Sequence, residues 1–333
     1  MDQYINLAHG DGGELSHRLI RDIFIEAFGA SNQPLFDAAA ITLPGNKIAM
    51  TTDSFVIKPI FFPGGSIGKL AVAGTVNDLA VSGAKPAYLT CGFVIEEGFP
   101  IADLKKIVHD MAHEAQKTGV AIVAGDTKVV ERGSADGLYI NTTGVGIYEG
   151  KNGCSLQFAE GDAIIVSGTI GDHGVAVLAA RGDLGISTPV ISDCASLNGM
   201  LGEVLQQTDG VRIMRDPTRG GLATTLVEIA EDFGLTMKIQ ETALPVKREV
   251  HGVCDLLGFD PLYLANEGKA IIIVDAKETE RVLDILHSFS EGEDAVVIGS
   301  ITGKEKGRLQ LETPLGANRL LTRLSGTMFP RIC

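Results

Sequence analysis

Residues 65–84 read GSIGKLAVAGTVNDLAVSGA, and the architecture of the chain can be worked outward from them. They read as a buried helix with small residues on its packing face. Asp78 is the anomaly. It sits among Val76, Leu79, Ala80 and Val81, where an isolated carboxylate would be expensive to bury. It should therefore pair with a cation or coordinate a metal.

Around this helix the sequence alternates helical and extended patterns. Upstream, SHRLIRDIFIEAFG (16–29) places Leu19, Ile20, Ile23 and Ala27 on one apolar face with Ser16 as its cap. KIAMTTDSFVI (47–57) is a β-branched strand that includes Asp53. Downstream come a strand (87–98), an amphipathic helix (101–119) stopped by Gly119, a short buried strand VAIVAGDT (120–127), and a closing strand (138–150). The second half repeats the logic. DAIIVSG (162–168) is a strand, and TRGGLATTLVEIAEDFG (218–234) is a helix matching 65–84. Residues 269–277, 278–289 and 294–301 then read strand, helix, strand. The expectation is an α+β chain, a diverged internal duplication with its boundary near Glu149–Glu160. The domains predicted are a glycine-rich segment and helix (1–43), an N-terminal α+β domain (44–155), a C-terminal α+β domain (156–322) and a mobile tail (323–333). Residues 303–333 read as a polar extension.

Bulk properties narrow the classes of function. At 333 residues the chain is long for one core, and 45% hydrophobic residues supply ample material for two. The 41 glycines cluster beside apolar runs, the pattern of tight turns and close backbone–ligand approach. A net charge of −14 argues against nucleic acid and against docking on an anionic membrane. No signal peptide is legible, and no apolar run reaches the roughly 18–20 residues of a membrane span. Cys91, Cys154, Cys194, Cys254 and Cys333 lie far apart. That spacing argues against a disulfide framework or structural zinc and fits a reducing cytoplasm. The first four read as inert fillers. Cys333 ends the chain, where an exposed thiol is a liability unless something uses it.

Four stretches set a carboxylate beside Thr, Asn, Lys or Gly. They are TTDS (Asp53), GTVNDLA (Asn77, Asp78), GDTK (Asp126, Thr127, Lys128) and RDPTRGG (Asp216, Thr218, Arg219, Gly220, Gly221). Converging aspartates make a hard-cation site of the kind Mg²⁺ prefers, with phosphate completing the shell. In the last stretch Thr218 is a candidate helix cap, and Gly220–Gly221 open the positive end of the helix to phosphate. Lys128 and Arg219 would balance the remaining charge. Singly, each stretch also reads as caps and turns. Together they favour a nucleotide–Mg²⁺ site. PGGSIGKL is not a Walker A loop, since Pro63 and Leu70 stand at two of its defining positions. His109 and His113 read as part of a solvated face.

TTDSFVIKPIFFPGG, GTVNDLAVSGAKP, GDTKVV, RDPTRGGLA, ANEGK and the terminal PRIC together resemble the carbamoyl dehydratases of hydrogenase maturation. These form a branch of the superfamily that includes aminoimidazole ribonucleotide synthetase and selenophosphate synthetase. The resemblance covers essentially the whole chain, and the PRIC tail is its most specific element. It implies a two-lobed, PurM-like synthetase fold whose dimer forms a shared β-barrel, with ATP and Mg²⁺ as cofactors. It implies that HypF carbamoylates Cys333, that ATP then drives dehydration of the S-carboxamide to a thiocyanate, and that a HypC–HypD complex accepts the cyanide for [NiFe]-hydrogenase iron. By the same match Asp53, Asp78, Asp126 and Asp216 are metal ligands. Asn77, Thr127, Thr218, Arg219 and Gly220 serve the nucleotide. Glu267, or alternatively Lys128, takes the amide protons, and His9–Gly13 forms a flap over ATP or a disordered tail. Two other readings stay open. One is a non-catalytic carrier using the terminal cysteine, and the other is a small-molecule ATP-dependent synthetase of the same superfamily.

Overall fold

The computed structural model describes residues 4–6, 19–28, 48–148, 154–304 and 307–323. Cys333, the His9–Gly13 segment, Ser16 and the tail from residue 324 lie outside the described residues. Helix α1 (Ile67–Val81) is buried along almost its whole length, as its composition predicts. Ser66 caps it by accepting a hydrogen bond from the Lys69 N–H. Its small residues permit close approach on two sides. A Cβ on Gly68 would lie 2.3 Å from the Ile107 carbonyl oxygen of α2 (Ile101–Thr118), and one on Gly74 would lie 2.9 Å from the Phe55 ring. Gly119 ends α2 in the left-handed conformation (φ 75°). His109 and His113 are exposed on it, as a solvated face requires.

These two helices cover one face of a four-stranded sheet made of β1 (Ile48–Phe55), β4 (Lys85–Glu96), β5 (Ala121–Val130) and β6 (Leu138–Ile147), in the order β1-β6-β4-β5. A two-strand ribbon of β2 (Phe61–Phe62) and β3 (Gly65–Ser66) precedes α1. The larger sheet has one parallel pair, β4 with β5. Its other face is open, and among the described residues no barrel closes. Strand β5 corrects the expectation of a short buried strand. It runs ten residues, and most of it is exposed or half-exposed because it is an edge strand on a one-sided sheet.

The second lobe is a seven-stranded sheet in the order β13-β12-β9-β11-β7-β10-β8. Strands β7 (Ala163–Val166) and β10 (Ile271–Val274) are buried throughout. The remaining strands are β8 (Val211–Arg215), β9 (Leu235–Gln240), β11 (Val296–Lys304), β12 (Arg308–Glu312) and β13 (Asn318–Leu321). Residues 308–321 are thus a hairpin that extends the sheet, where the sequence reads as a polar extension. Buried Leu309, Leu311 and Leu321 explain why. Helices α3 (Asp172–Arg181), α4 (Asn198–Gln207), α5 (Gly221–Phe233), α6 (Arg248–Leu257) and α7 (Thr279–His287) accompany it. The lobes interlock. Val177 of α3 and Cys194 join the core of the first lobe, while Ala80 and Val81 of α1 join a core of the second.

Candidate active site

A cleft of about 630 Å³ opens where α1, β1 and the β8–α5 turn meet, lined among others by Thr51, Asp78, Arg215, Asp216, Thr218 and Arg219. The strand period of two sets the first part of this geometry. Thr51 and Asp53 point to the α1 side of β1, and Thr51 Oγ1 donates to Asp78 Oδ2 at 2.8 Å. Asp53 Oδ1 lies 3.7 Å from an Arg219 guanidinium nitrogen. Asp216 directly follows β8, held there by Pro217, which biases the preceding residue toward extended backbone.

The three carboxylates feel one another. Burial raises the Asp216 carboxyl to about 7, with the charge of Asp78 adding to it. Burial likewise raises Asp78, opposed by the Thr51 hydrogen bond, while the Asp53 charge adds to the rise. Asp53 is raised by burial, with the Ser54 N–H and Arg219 opposing. A cluster whose members resist ionising together is short of positive charge, and Arg215 and Arg219 supply only part of it. Arg215 is itself engaged by Glu228 at 3.1 Å.

Helix α5 begins at Gly221, directly after Gly220 in the left-handed region (φ 76°). Thr218 is not its side-chain cap, contrary to expectation. The Thr218 carbonyl accepts the Gly221 N–H, and the threonine lines the cleft. Gly221 also cannot carry a side chain, since a Cβ there would lie 2.6 Å from the carbonyl oxygens of both Leu262 and Leu264. The N–H end of a thirteen-residue helix beside Arg219 suits a phosphate.

Other expected site residues are placed elsewhere. Asp126 shares a row with Gly92, Asn141 and Ser54, on the open face of the first sheet, whereas Asp53 lies in the row of Gly125, Cys91 and Thr142 beneath α1. Three strand spacings separate β5 from β1, about 14 Å at the usual inter-strand distance. Within one chain Asp126, Thr127 and Lys128 therefore do not join the Asp53–Asp78–Asp216 cluster. Asp126 and Lys128 line a second cleft of about 670 Å³ on the open face, with Lys58, Asp136 and Arg181. Asn77 does not line the first cleft. It is buried and turned away from the cleft, where Nδ2 donates to the carbonyls of Ala195 (2.9 Å) and Glu267 (3.4 Å) and Oδ1 accepts the Leu197 N–H (2.8 Å). Glu267 is 6% exposed, behind α1, and does not line the cleft. Thr51, Arg215 and Glu228 are cleft residues that the motifs do not single out. Thr51 is legible two residues before Asp53 and Arg215 one before Asp216, but nothing in the sequence marks Glu228.

Among the described residues no three His, Cys, Asp or Glu side chains converge closely enough to hold a metal ion unaided. Mg²⁺ does not need that, since it is commonly held by one or two carboxylates with water and substrate phosphates. An under-neutralised carboxylate cluster facing a phosphate-suited helix end fits that mode.

The chain matches two family models, the AIR synthase related N-terminal domain over residues 36–148 and the corresponding C-terminal domain over 159–312. The carbamoyl dehydratase HypE of Rhodobacter capsulatus is 45% identical, with 100% of this chain and 99% of that protein aligned. A solved structure of hydrogenase maturation protein HypE in complex with ATP superposes with a TM-score of 0.92 at 46% identity, covering 98% of this chain and 99% of that one. A chain from a solved HypE–HypF complex superposes at 0.80, with 46% identity over 94% of this chain and 100% of that one. Matches of this length and identity place the chain in the AIR synthase related family and, within it, among the HypE carbamoyl dehydratases.

Proposed function

We propose that this chain is an ATP-dependent carbamoyl dehydratase of hydrogenase maturation, acting on a carboxamide carried by its own Cys333. The observation that carries the reading is the cleft that gathers Asp78, Asp216, Arg219 and the N-terminal end of α5, with Asp53 beside Arg219. In the reaction the carboxamide oxygen attacks the γ-phosphorus of ATP and ADP leaves. The C–O bond then breaks with phosphate as the leaving group while the nitrogen gives up two protons, so that R–S–CO–NH₂ becomes R–S–C≡N. Phosphorylation is what makes a poor leaving oxygen a good one.

In this reading Arg219 and the positive N-terminal end of α5 face phosphate oxygens, and Arg215 lowers the charge density of the carboxylates. One or two of Asp53, Asp78 and Asp216, with water and phosphate oxygens, would hold Mg²⁺, which when bound supplies positive charge against the phosphates. Thr51 orients Asp78. Glu267 is the candidate proton acceptor, with Lys128 as its alternative. A homodimer with a shared barrel belongs to the same proposal, because the first sheet leaves one face open. Closing that face against a second copy would give Asp126 and Lys128 a site that one chain alone does not complete, whereas Thr127 alternates to the covered face in the row of Phe93, Ile140 and Phe55. HypF as carbamoyl donor accords with the HypE–HypF complex of a 46%-identical relative. A HypC–HypD complex as cyanide acceptor and a cytoplasmic location complete the reading. Among the described residues no helix is long and apolar enough to cross a membrane.

The test is intact mass spectrometry with C-terminal peptide mapping after incubation with HypF, carbamoyl phosphate and Mg²⁺–ATP. A carbamoyl adduct on Cys333 that loses one water only with Mg²⁺–ATP is the expected result. An adduct that never loses water would leave a carrier instead, and turnover that survives deletion of Cys333 would leave a small-molecule synthetase.

A further inference from the structure

The loop ANEG (265–268) is tied to the elements around the cleft. Asn266 Nδ2 and its backbone N–H both donate to the carbonyl of Pro217, the residue after Asp216, at 3.0 and 3.2 Å, and Asn266 Oδ1 accepts the Gly171 N–H at the start of α3. The backbone N–H groups of Glu267 and Gly268 donate to the two oxygens of Asp193, at 3.2 and 3.3 Å. A Cβ on Gly268 would stand 1.9 Å from the Asp193 carbonyl oxygen, so the loop and the 193–197 segment are pressed backbone to backbone. The Glu267 carbonyl and the same 193–197 segment are both held by Asn77, whose chain neighbour on α1 is Asp78.

From this we infer that Asn77 and Asp193 are positioning residues that fix Glu267 relative to the carboxylate cleft. The geometry divides the labour on α1. Asp78 faces the cleft, Asn77 faces the loop, and the rigid helix between them converts one placement into the other. Asn77 uses both ends of its amide. In the isosteric Asn77→Asp variant the carboxylate could accept the Leu197 N–H but could not donate to Ala195 and Glu267, and would face their carbonyl oxygens with a charge. Asp193 uses both carboxylate oxygens, a bidentate hold that an amide at that position cannot reproduce. The inference rests on the proposed dehydratase reading, in which Glu267 takes the amide protons.

The experiment compares N77D, D193N and the double variant with wild type on full-length protein already carbamoylated by HypF. It measures Mg²⁺–ATP affinity by calorimetry, the rate constant of single-turnover water loss by mass spectrometry and its dependence on ATP concentration, and the pH profile of that rate constant. The expected result is Mg²⁺–ATP affinity within about threefold of wild type, water loss slowed at least tenfold at saturating ATP, and a displaced limb of the pH profile. The double variant should be little slower than the worse single one, because both act on one loop. Loss of Mg²⁺–ATP affinity in parallel with the rate would overturn the assignment, and so would unchanged water loss. If N77D does not fold, D193N decides alone by the same criteria. Failure of wild type itself to lose water would instead sink the dehydratase reading.

Discussion

Two buried titratable side chains pull the pH dependence of stability in opposite directions. His173 is fully buried with Nδ1 against Ser192 Oγ at 2.8 Å, and burial lowers it to about 3. Its unfolded value is near 6.5, so the unfolded chain binds the extra proton between those limits, and stability is lost as pH falls below about 6.5. Asp216 is raised to about 7. The folded chain holds its proton more tightly, and that contribution is lost as pH rises from about 4 through 7. Each is worth up to about 1.4 kcal/mol per pH unit where it acts alone, and between about pH 4 and 6 they oppose. Urea midpoints across this range should therefore rise more steeply with pH in D216N than in wild type, and less steeply in H173N. Parallel curves for all three proteins would refute both assignments. Asp78→Asn keeps the shape of the acceptor for Thr51 but removes a charge from the cleft. It should cut Mg²⁺–ATP-dependent water loss at least about 100-fold while leaving HypF-dependent carbamoylation of Cys333 intact, as mass spectrometry of the two steps would show.

Elements depend on what they touch. Helix α1 packs on α2 through Gly68, and Gly68→Ala places a methyl against the Ile107 carbonyl with nothing flexible to yield. Overpacking of that kind costs about 1–3 kcal/mol, so the thermal midpoint of G68A should fall by several degrees. By contrast, Gly119→Ala meets open space. Its cost is the left-handed backbone alone, about 1 kcal/mol. If calorimetry ranked G119A below G68A, the close-packing account of α1 would be wrong. The helix is legible because an apolar 15-mer flanked by Gly and Ser has few other fates. Strand β5 is not, because AIVAG reads the same whether its flank is covered or bare, and only the sheet order makes it an edge.

At the scale of the whole molecule, the open face of β1-β6-β4-β5 is the surface on which the proposed dimer depends. Met50 is 66% exposed on it. Thr52 lies in the same face, two residues on, and Thr143 Oγ1 donates to it across the strands. Thr52→Arg should shift the mass measured by light scattering from two chains to one. It should also lower Mg²⁺–ATP-dependent water loss at least tenfold, because Asp126 and Lys128 are then no longer offered to a second copy. A dimer that persists with full activity would place the interface elsewhere.

The sequence alone determined the elements whose patterns have one physical solution: the buried α1, the amphipathic α2 with its glycine stop, and the carboxylates set beside Thr, Gly and Arg. It also carried the family, because aspartate motifs spread over the chain and a terminal PRIC are read residue by residue. Tertiary structure decided which carboxylates meet. Asp53, Asp78 and Asp216 come together because β1, α1 and the end of β8 converge at the junction of the lobes, whereas Asp126 has the same local signature but emerges three strands away on the opposite face. It decided as well that Asn77 faces away from its neighbour Asp78, since consecutive residues on a helix point about 100° apart and only packing says which of the two faces the cleft. Adjacency in sequence, like chemical type, names candidates. Strand order and helix rotation choose among them.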